Sequence, residues 1–236
     1  MRKSKNFQIK YSSESLMKKA VKKAAEVIDM SKHKGEHPRM GATDVCPLVP
    51  VANISMEETA ALAEKLAKRV SEHNGIPTYL YGNAAKDPSR KVLSDIRAGE
   101  YEGFFEKIKL PEWKPDFGPQ EYSKRSGATV IGARDFLIAY NINLNTKSTR
   151  LANRVAFDVR ENGRVQRKGN PYTGEIVRDA DGEAVRIPGS CKAVQAVGWY
   201  IDEYEVAQVS ANLLDFKQTS IHEFFDACML SAHKRG

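Results

Sequence analysis

The polar and apolar positions first settle into a helical period at "SSESLMKKAVKKAAEVIDM". There Met17, Ala20, Val21, Ala24, Val27 and Ile28 share one face, and Ser12 or Ser13 can cap the start. A sharper helix follows in "SMEETAALAEKLAKRVSEHNG". Leu62, Leu66 and Val70 recur at four-residue steps, Ser55 and Glu58 form a capping box, and Gly75 supplies the stop. Strand-like runs are "NFQIKY" (6–11), "IPTYLYG" (76–82), "RDFLIAYNINLN" (134–145), "KAVQAVGWYID" and "EVAQVSANLLDF", the last two joined by a short turn near Glu203. "DVCPLVPVAN" (44–53) is apolar, but Pro47 and Pro50 demote it to an irregular or edge strand. Further helices are expected near 92–98, over 146–163 with Gly163 as the stop, and over 219–235 with Thr219 or Ser220 as the cap.

Two stretches interrupt the pattern. Residues 110–132 mix three prolines and three glycines with aromatic and charged residues, and read as a long loop anchored by Trp113, Phe117 and Tyr122. Residues 164–190 are polar with four glycines, and read as a mobile loop or a small hairpin insertion. The element order divides the chain at about residue 130, β-α-β-α-β-α before and β-α-β-β-α after. Fold class α+β follows, as two α/β subdomains over 1–130 and 131–236, with helices on one face of a mixed or antiparallel sheet. Each half is expected to be one strand short at an end, leaving an open sheet edge.

Composition narrows the class. Of 236 residues, 41% are apolar and 28% charged, as in a soluble globular protein. No run approaches the length of a membrane-spanning helix, and the N-terminus lacks a secretory apolar core. Cys46, Cys191 and Cys228 are dispersed, so neither a disulfide framework nor a structural zinc site is expected, and a reducing cytoplasm is the simplest setting. The net charge of +7 is interspersed with acids, and the densest basic run, "KKAVKK", lies on the polar side of the first helix. A solvated face is expected there, with no nucleic-acid or membrane partner, while the basic field suits small polyanionic substrates.

The candidate chemistry lies in "HKGEHPRMGATDV" (33–45). His33, Glu36 and His37 fit H-x-x-E-H, a zinc-protease spacing that needs both histidines on one helical face. Gly35, Pro38 and Gly41 break such a helix, so no metal is expected. The alternatives left are an ordinary hydrogen-bonded histidine and a catalytic base on a loop, with His37 the better placed of the two. His73, His222 and His233 fall in or at the ends of predicted helices and suit structural roles.

Several longer stretches point further: "HKGEHPRMGATDVCPLVPV", "YLYGNAA", "IRAGEYEGFFEKI", "WKPDFGP", "GATVIGARDFLIAYNINL", "VQAVGWYIDE" and "AQVSANLLDF". Together, in order from about residue 20 to 235, they resemble the glutamate formimidoyltransferase family, the formiminotransferase part of formiminotransferase-cyclodeaminase. The resemblance implies two ferredoxin-like subdomains and transfer of a formimino group from N-formimino-L-glutamate to N5 of tetrahydrofolate in histidine degradation. It implies His37 as catalytic base and acid. It implies a folate-binding loop over Gly118, Pro119, Gln120, Glu121, Tyr122, Ser123, Lys124, Arg125, Ser126 and Gly127. Lys124 and Arg125 would pair with folate carboxylates or simply be solvated; Arg39 and Asp44 would orient the amidine or the His37 tautomer, or Asp44 would cap a strand. Tetrahydrofolate is the implied cosubstrate, no metal is implied, and family members are typically homodimers. Compared with the family pattern, a strand and helix before Asn6 and a strand after Gly236 are expected to be missing. A catalytically incomplete folate-binding or assembly protein, or a chain completed by another polypeptide, is therefore the alternative to an active enzyme. Formiminoglycine or a formylated donor would use similar chemistry and stays open.

Overall fold

The computed structural model describes residues 13–35 and 38–236. The predicted strand over 6–11, together with Glu36 and His37, lies outside them. The chain forms two compact units that meet in sequence at Arg134 and Asp135. The expected pair of α/β units is present.

In the first unit, α1 (Ser13–Val27) leads to β1 (Val45–Leu48), α2 (Met56–Asn74), β2 (Thr78–Gly82), α3 (Leu93–Arg97), α4 (Glu100–Lys107) and β3 (Thr129–Ala133). The described strands lie in the order β1-β3-β2, and both pairings are parallel. Parallel neighbours need crossover connections, and α2 and α3–α4 supply them. The strands also explain why both faces are covered. Leu80, Ile131 and Cys46 pack against Val21 of α1 and Ala63, Leu66, Ala67 and Val70 of α2. Tyr79, Tyr81 and Val130 point the other way, onto Ile96 of α3, Phe104 of α4 and Ile108.

Several expectations are corrected here. Helices cover both faces of this sheet, not one, because β2 and β3 are apolar on both sides. The loop expected over 110–132 ends in β3, the central strand of the described sheet, in which all five residues are buried. A strand buried on both faces shows no alternation, and Gly127 and Gly132 resemble loop punctuation. The helix α4 was not expected at all. Along α1, Val21 is buried, but Ala20 is exposed and Val27 is 61% exposed, and the helix stops at Val27 rather than Met30. At α2 the reading holds in detail: Glu58 N–H donates to Ser55 Oγ at 3.1 Å, Ser55 N–H donates to Glu58 Oε2 at 2.8 Å, and Gly75 has a φ of 65°.

Two cations, the buried Arg90 and the half-buried Lys107, fix the segment between α3 and β3. Arg90 bonds Asp116 Oδ2 at 3.1 Å and the carbonyls of Glu112 and Lys114 at 2.6 and 3.0 Å. Asp116 Oδ2 also accepts from Leu80 N–H at 2.8 Å, so the pair ties this segment to β2. Lys107 Nζ donates to the carbonyls of Asp95, Ile96 and Ala98, closing the end of α3, and lies 3.6 Å from the centre of the Trp113 ring. Burial draws the Lys107 pKa down to about 8, which leaves the ammonium the main form at neutral pH. Lys107→Met is expected to lower stability by about 1.5–3 kcal/mol, read as a lower urea midpoint at unchanged slope.

The second unit runs β4 (Ile138–Asn143), α5 (Thr149–Val159), β5 (Arg164–Val165), β6 (Arg186–Ile187), β7 (Val194–Ile201), β8 (Val206–Leu213) and α6 (Ile221–His233). Its main sheet is antiparallel in the order β4-β8-β7, the split β-α-β arrangement of ferredoxin-like units. Val155, Ala156 and Val159 of α5 and Phe224 and Cys228 of α6 form one core with Val194, Ala196, Val209, Ala211 and Leu213. The helix expected over 146–163 stops at Val159, and the strand expected over 134–145 is trimmed to β4. Of the two readings for 164–190, the hairpin is the one observed: β5 pairs with β6, and bridges join Arg167 to Ile176 and Arg178 to Ala184. Burial pushes the Cys46 thiol up to about 11 and the Cys228 thiol up to about 12, consistent with core packing rather than reactivity.

Candidate functional site

His37 lies outside the described residues, so its place is marked by its neighbours. His33 is exposed, beyond the end of α1 and in no helix. Arg39 reaches back across the segment: Nη2 donates to the His33 carbonyl at 3.0 Å and to Glu102 Oε1 at 2.8 Å, while Nη1 donates to Glu100 and Glu102, each at 3.0 Å. The Glu102 hydrogen bond and charge raise the Arg39 pKa, and the hydrogen bond from Arg39 holds the Glu102 carboxyl below its usual range. Both acids sit in the first turn of α4, where the helix dipole favours negative charge. Gly99 with a φ of 89° and Glu100 with a φ of 53° bend the chain so that this turn faces Arg39. Lys34, Gly35, Arg39, Gly99, Glu100 and Glu102 line an open recess of about 470 Å³.

Asp44 is engaged by its surroundings. One carboxylate oxygen accepts from Met40 N–H at 2.8 Å and the other from Arg97. Asp44 immediately precedes β1, and its carboxylate closes the turn back to Met40 and ties it to Arg97 of α3.

The residues expected to form a folate loop lie directly against this segment. Tyr122 donates its hydroxyl to the Met40 carbonyl at 2.6 Å. Ala42 N–H donates to the Ser126 carbonyl, and Ala128 N–H to the Met40 carbonyl. Tyr122 packs against Tyr101, Phe104 and Phe105 of α4, with ring centres 4.5–5.4 Å apart. Ser123 and Ser126 hydroxyls are 2.6 Å apart, and Gln120 donates to the Ile108 carbonyl. Gly118 packs so closely on α2 that a side chain there would begin 2.0 Å from Ser71 Oγ. Pro119, Glu121 and Lys124 are exposed. Arg125 is committed elsewhere, bonding the Ala25 and Glu26 carbonyls near the end of α1 at 3.3 and 2.7 Å. Lys124 has no ion pair among the described residues, so it is the free cation of the two.

Gly127 and Gly41 bring the two loops together. Gly127 has a φ of 68°, and a Cβ on it would meet the Met40 carbonyl oxygen at 2.1 Å; one on Gly41 would meet the Ala128 oxygen at 2.0 Å. Gly127→Ala is therefore expected to part the loops and to cost about 1–3 kcal/mol from the backbone conformation alone. Thermal melts and folate binding check this together; a variant that keeps both would overturn the closeness as a requirement.

Sequence reasoning missed Glu100 and Glu102 because α4 itself was missed, and it gave Arg97 no role although the helix that carries it was expected. The signal was present in "AGEYEGFFEKI": a glycine stop, acids in a first turn, and Tyr101, Phe104 and Ile108 at helical spacing.

Two α/β units, the first carrying a mixed-charge recess beside two interlocked loops, define a two-unit α/β protein. The chain belongs to the formiminotransferase family: a model of the formiminotransferase domain's N-terminal subdomain matches residues 9–134, and one of the formiminotransferase domain matches residues 139–236. It is 51% identical over 213 residues to the formimidoyltransferase-cyclodeaminase of Gallus gallus, covering 90% of this chain and 36% of that protein. It is 39% identical over 218 residues to the glutamate formimidoyltransferase of Thermoplasma acidophilum (92% and 63% covered). To that of Streptococcus pyogenes serotype M1 it is 35% identical over 216 residues (92% and 64% covered). The chain thus spans about a third of the first relative and just under two thirds of the other two.

Proposed function

We propose that this chain carries out folate-dependent formimino transfer from N-formimino-L-glutamate to N5 of tetrahydrofolate, with His37 as base and then acid, in the cytoplasm and in histidine degradation. The observation that carries the reading is the interlock of residues 38–44 with residues 122–128, which sets the neighbours of His37 beside the loop that the family resemblance assigns to folate. N5 of tetrahydrofolate attacks the amidine carbon and forms a tetrahedral adduct. One group near neutral pKa takes the proton from N5 and returns it to the departing glutamate nitrogen as the carbon–nitrogen bond breaks. Holding both reactants in one recess supplies a further part of the acceleration.

The described residues suit both substrates. Glu100 and Glu102 present carboxylates for an amidinium, with Arg39 moderating their charge. Lys34 in the recess and Lys124 on the loop offer cations to carboxylates. Arg125, held by α1, serves to fix the loop. A homodimer, or pairing with a complementing chain, accompanies this reading.

The test is a single-turnover assay of the purified chain with both substrates, following glutamate release and the formimino-folate product. Stoichiometric transfer supports the proposal. Folate binding without transfer would replace it with the folate-binding or assembly reading, and no binding of either substrate would remove both.

A further inference from the structure

The hairpin insertion of the second unit carries Tyr172 into a cluster of arginines to which the proposed reaction gives no role. Asn170 Oδ1 accepts from Tyr172 N–H and Thr173 N–H, which fixes the turn presenting the ring. Arg154 of α5 lies 3.7 Å from the ring centre and Arg164 of β5 lies 6.0 Å away. Arg235, just beyond α6, bonds the Ser231 carbonyl through Nη1 and Asp158 Oδ2 through Nη2, the latter at 2.5 Å. Arg164 pairs with the other oxygen of Asp158, and Ser231 Oγ donates to the carboxylate at 2.7 Å.

The charges do not balance. Asp158 is the carboxylate paired with this cluster, so three guanidinium groups leave two positive charges unmatched among the described residues. The groups are also partly withdrawn from water, with Arg164 and Arg235 side chains 19% and 18% exposed. Arg235 Nε–H is buried with no acceptor, and Arg154 makes no ion pair among the described residues. A buried donor without an acceptor is costly, and an oxyanion removes that cost. The phenol responds to the same field. Burial acts to raise the Tyr172 pKa, but hydrogen bonds from Arg164 and Arg235, with the charges of Arg235 and Arg154, bring it below the ordinary tyrosine value.

We propose that Arg154, Arg164 and Arg235, with the Tyr172 hydroxyl, form a binding site for a phosphate-type dianion. The surplus of two charges matches such a ligand, and planar guanidinium forks match its oxygens better than an ammonium does. Tyr172 is 41% exposed, so the ligand enters along the ring without crossing the core. None of these residues belongs to the loops around His37, and the proposed reaction assigns a role to none of them.

The experiment is titration of the chain with inorganic phosphate by calorimetry, with sodium chloride at matched ionic strength as the reference. Saturable phosphate binding, weakened about tenfold or more by Arg154→Met with unchanged circular dichroism, supports the site. Equal affinity in wild type and Arg154→Met overturns it, and so does a wild-type chain that responds to phosphate no more than to chloride. If Arg154→Met does not fold, Arg154→Lys keeps the charge and loses the fork; weaker binding in it supports the site and unchanged binding overturns it. The readout is independent of catalysis, so loss of formimino transfer activity leaves this result standing.

Discussion

Glutamine in place of His37 is expected to slow the single-turnover formimino transfer by about 10²–10⁴-fold, the range associated with one positioned proton carrier. Glutamine keeps hydrogen-bonding capacity but has no proton to exchange near neutral pH. The step that suffers is collapse of the tetrahedral adduct, where N5 must lose a proton and the glutamate nitrogen must gain one. Folate affinity is expected to stay close to wild type, because the loop contacts at Tyr122, Ser126 and Gly127 are made by other residues. The wild-type rate should rise through a pKa in the histidine range, and the variant should lose that inflection. Equal rates for the two proteins, above background, would remove His37 from the mechanism.

Arg90→Ala should be the most damaging change in the first unit, at about 3–5 kcal/mol, because it leaves the buried Asp116 carboxylate without its partner. The two side chains are 8% and 11% exposed. Removal of Arg90 also strands the Glu112 and Lys114 carbonyls and takes a cation from the faces of Tyr79 and Trp113. The segment so loosened leads directly into residues 118–127. Activity should therefore fall with stability, and substrate saturation should restore only part of it. Arg90→Met with Asp116→Asn, which removes both charges, is expected to recover a substantial share of the loss. A double variant as unstable as Arg90→Ala would argue that packing, not the unpaired charge, is the cause.

Local signals carried much of this architecture. Ser55 and Glu58 act within a turn of one another, as do Ser220 and Glu223, and Gly75 acts on the last turn before it, so the helices they bound were readable. The β4, β7 and β8 ladder was readable because the strands are long and mostly bordered by turns. The central strand β3 was not, since a strand covered on both faces lacks alternation. Its Gly132 is required by packing: a Cβ there would sit 2.2 Å from the Tyr81 carbonyl oxygen. The loop nature of residues 33–45 followed from Gly35 and Pro38, but the role of His37 came from resemblance to a family. The partners of Arg39 lie 61 and 63 residues further along the chain, and no local pattern announces such a pair.

The position of β3 also sets the order in which the first unit can assemble. Among the described residues, β1 and β2 both pair with β3 and not with each other. During synthesis, the described elements α1, β1, α2, β2, α3 and α4 emerge before the strand that joins β1 to β2, so these strands cannot be joined until Ala133 has left the ribosome. Until then Leu80, Tyr79 and Cys46 lack their central neighbour, and the nascent segment is a natural client for chaperones. A chain that ends before Thr129 and is released from the ribosome should remain sensitive to protease, and a released chain that ends at Arg134 should be resistant.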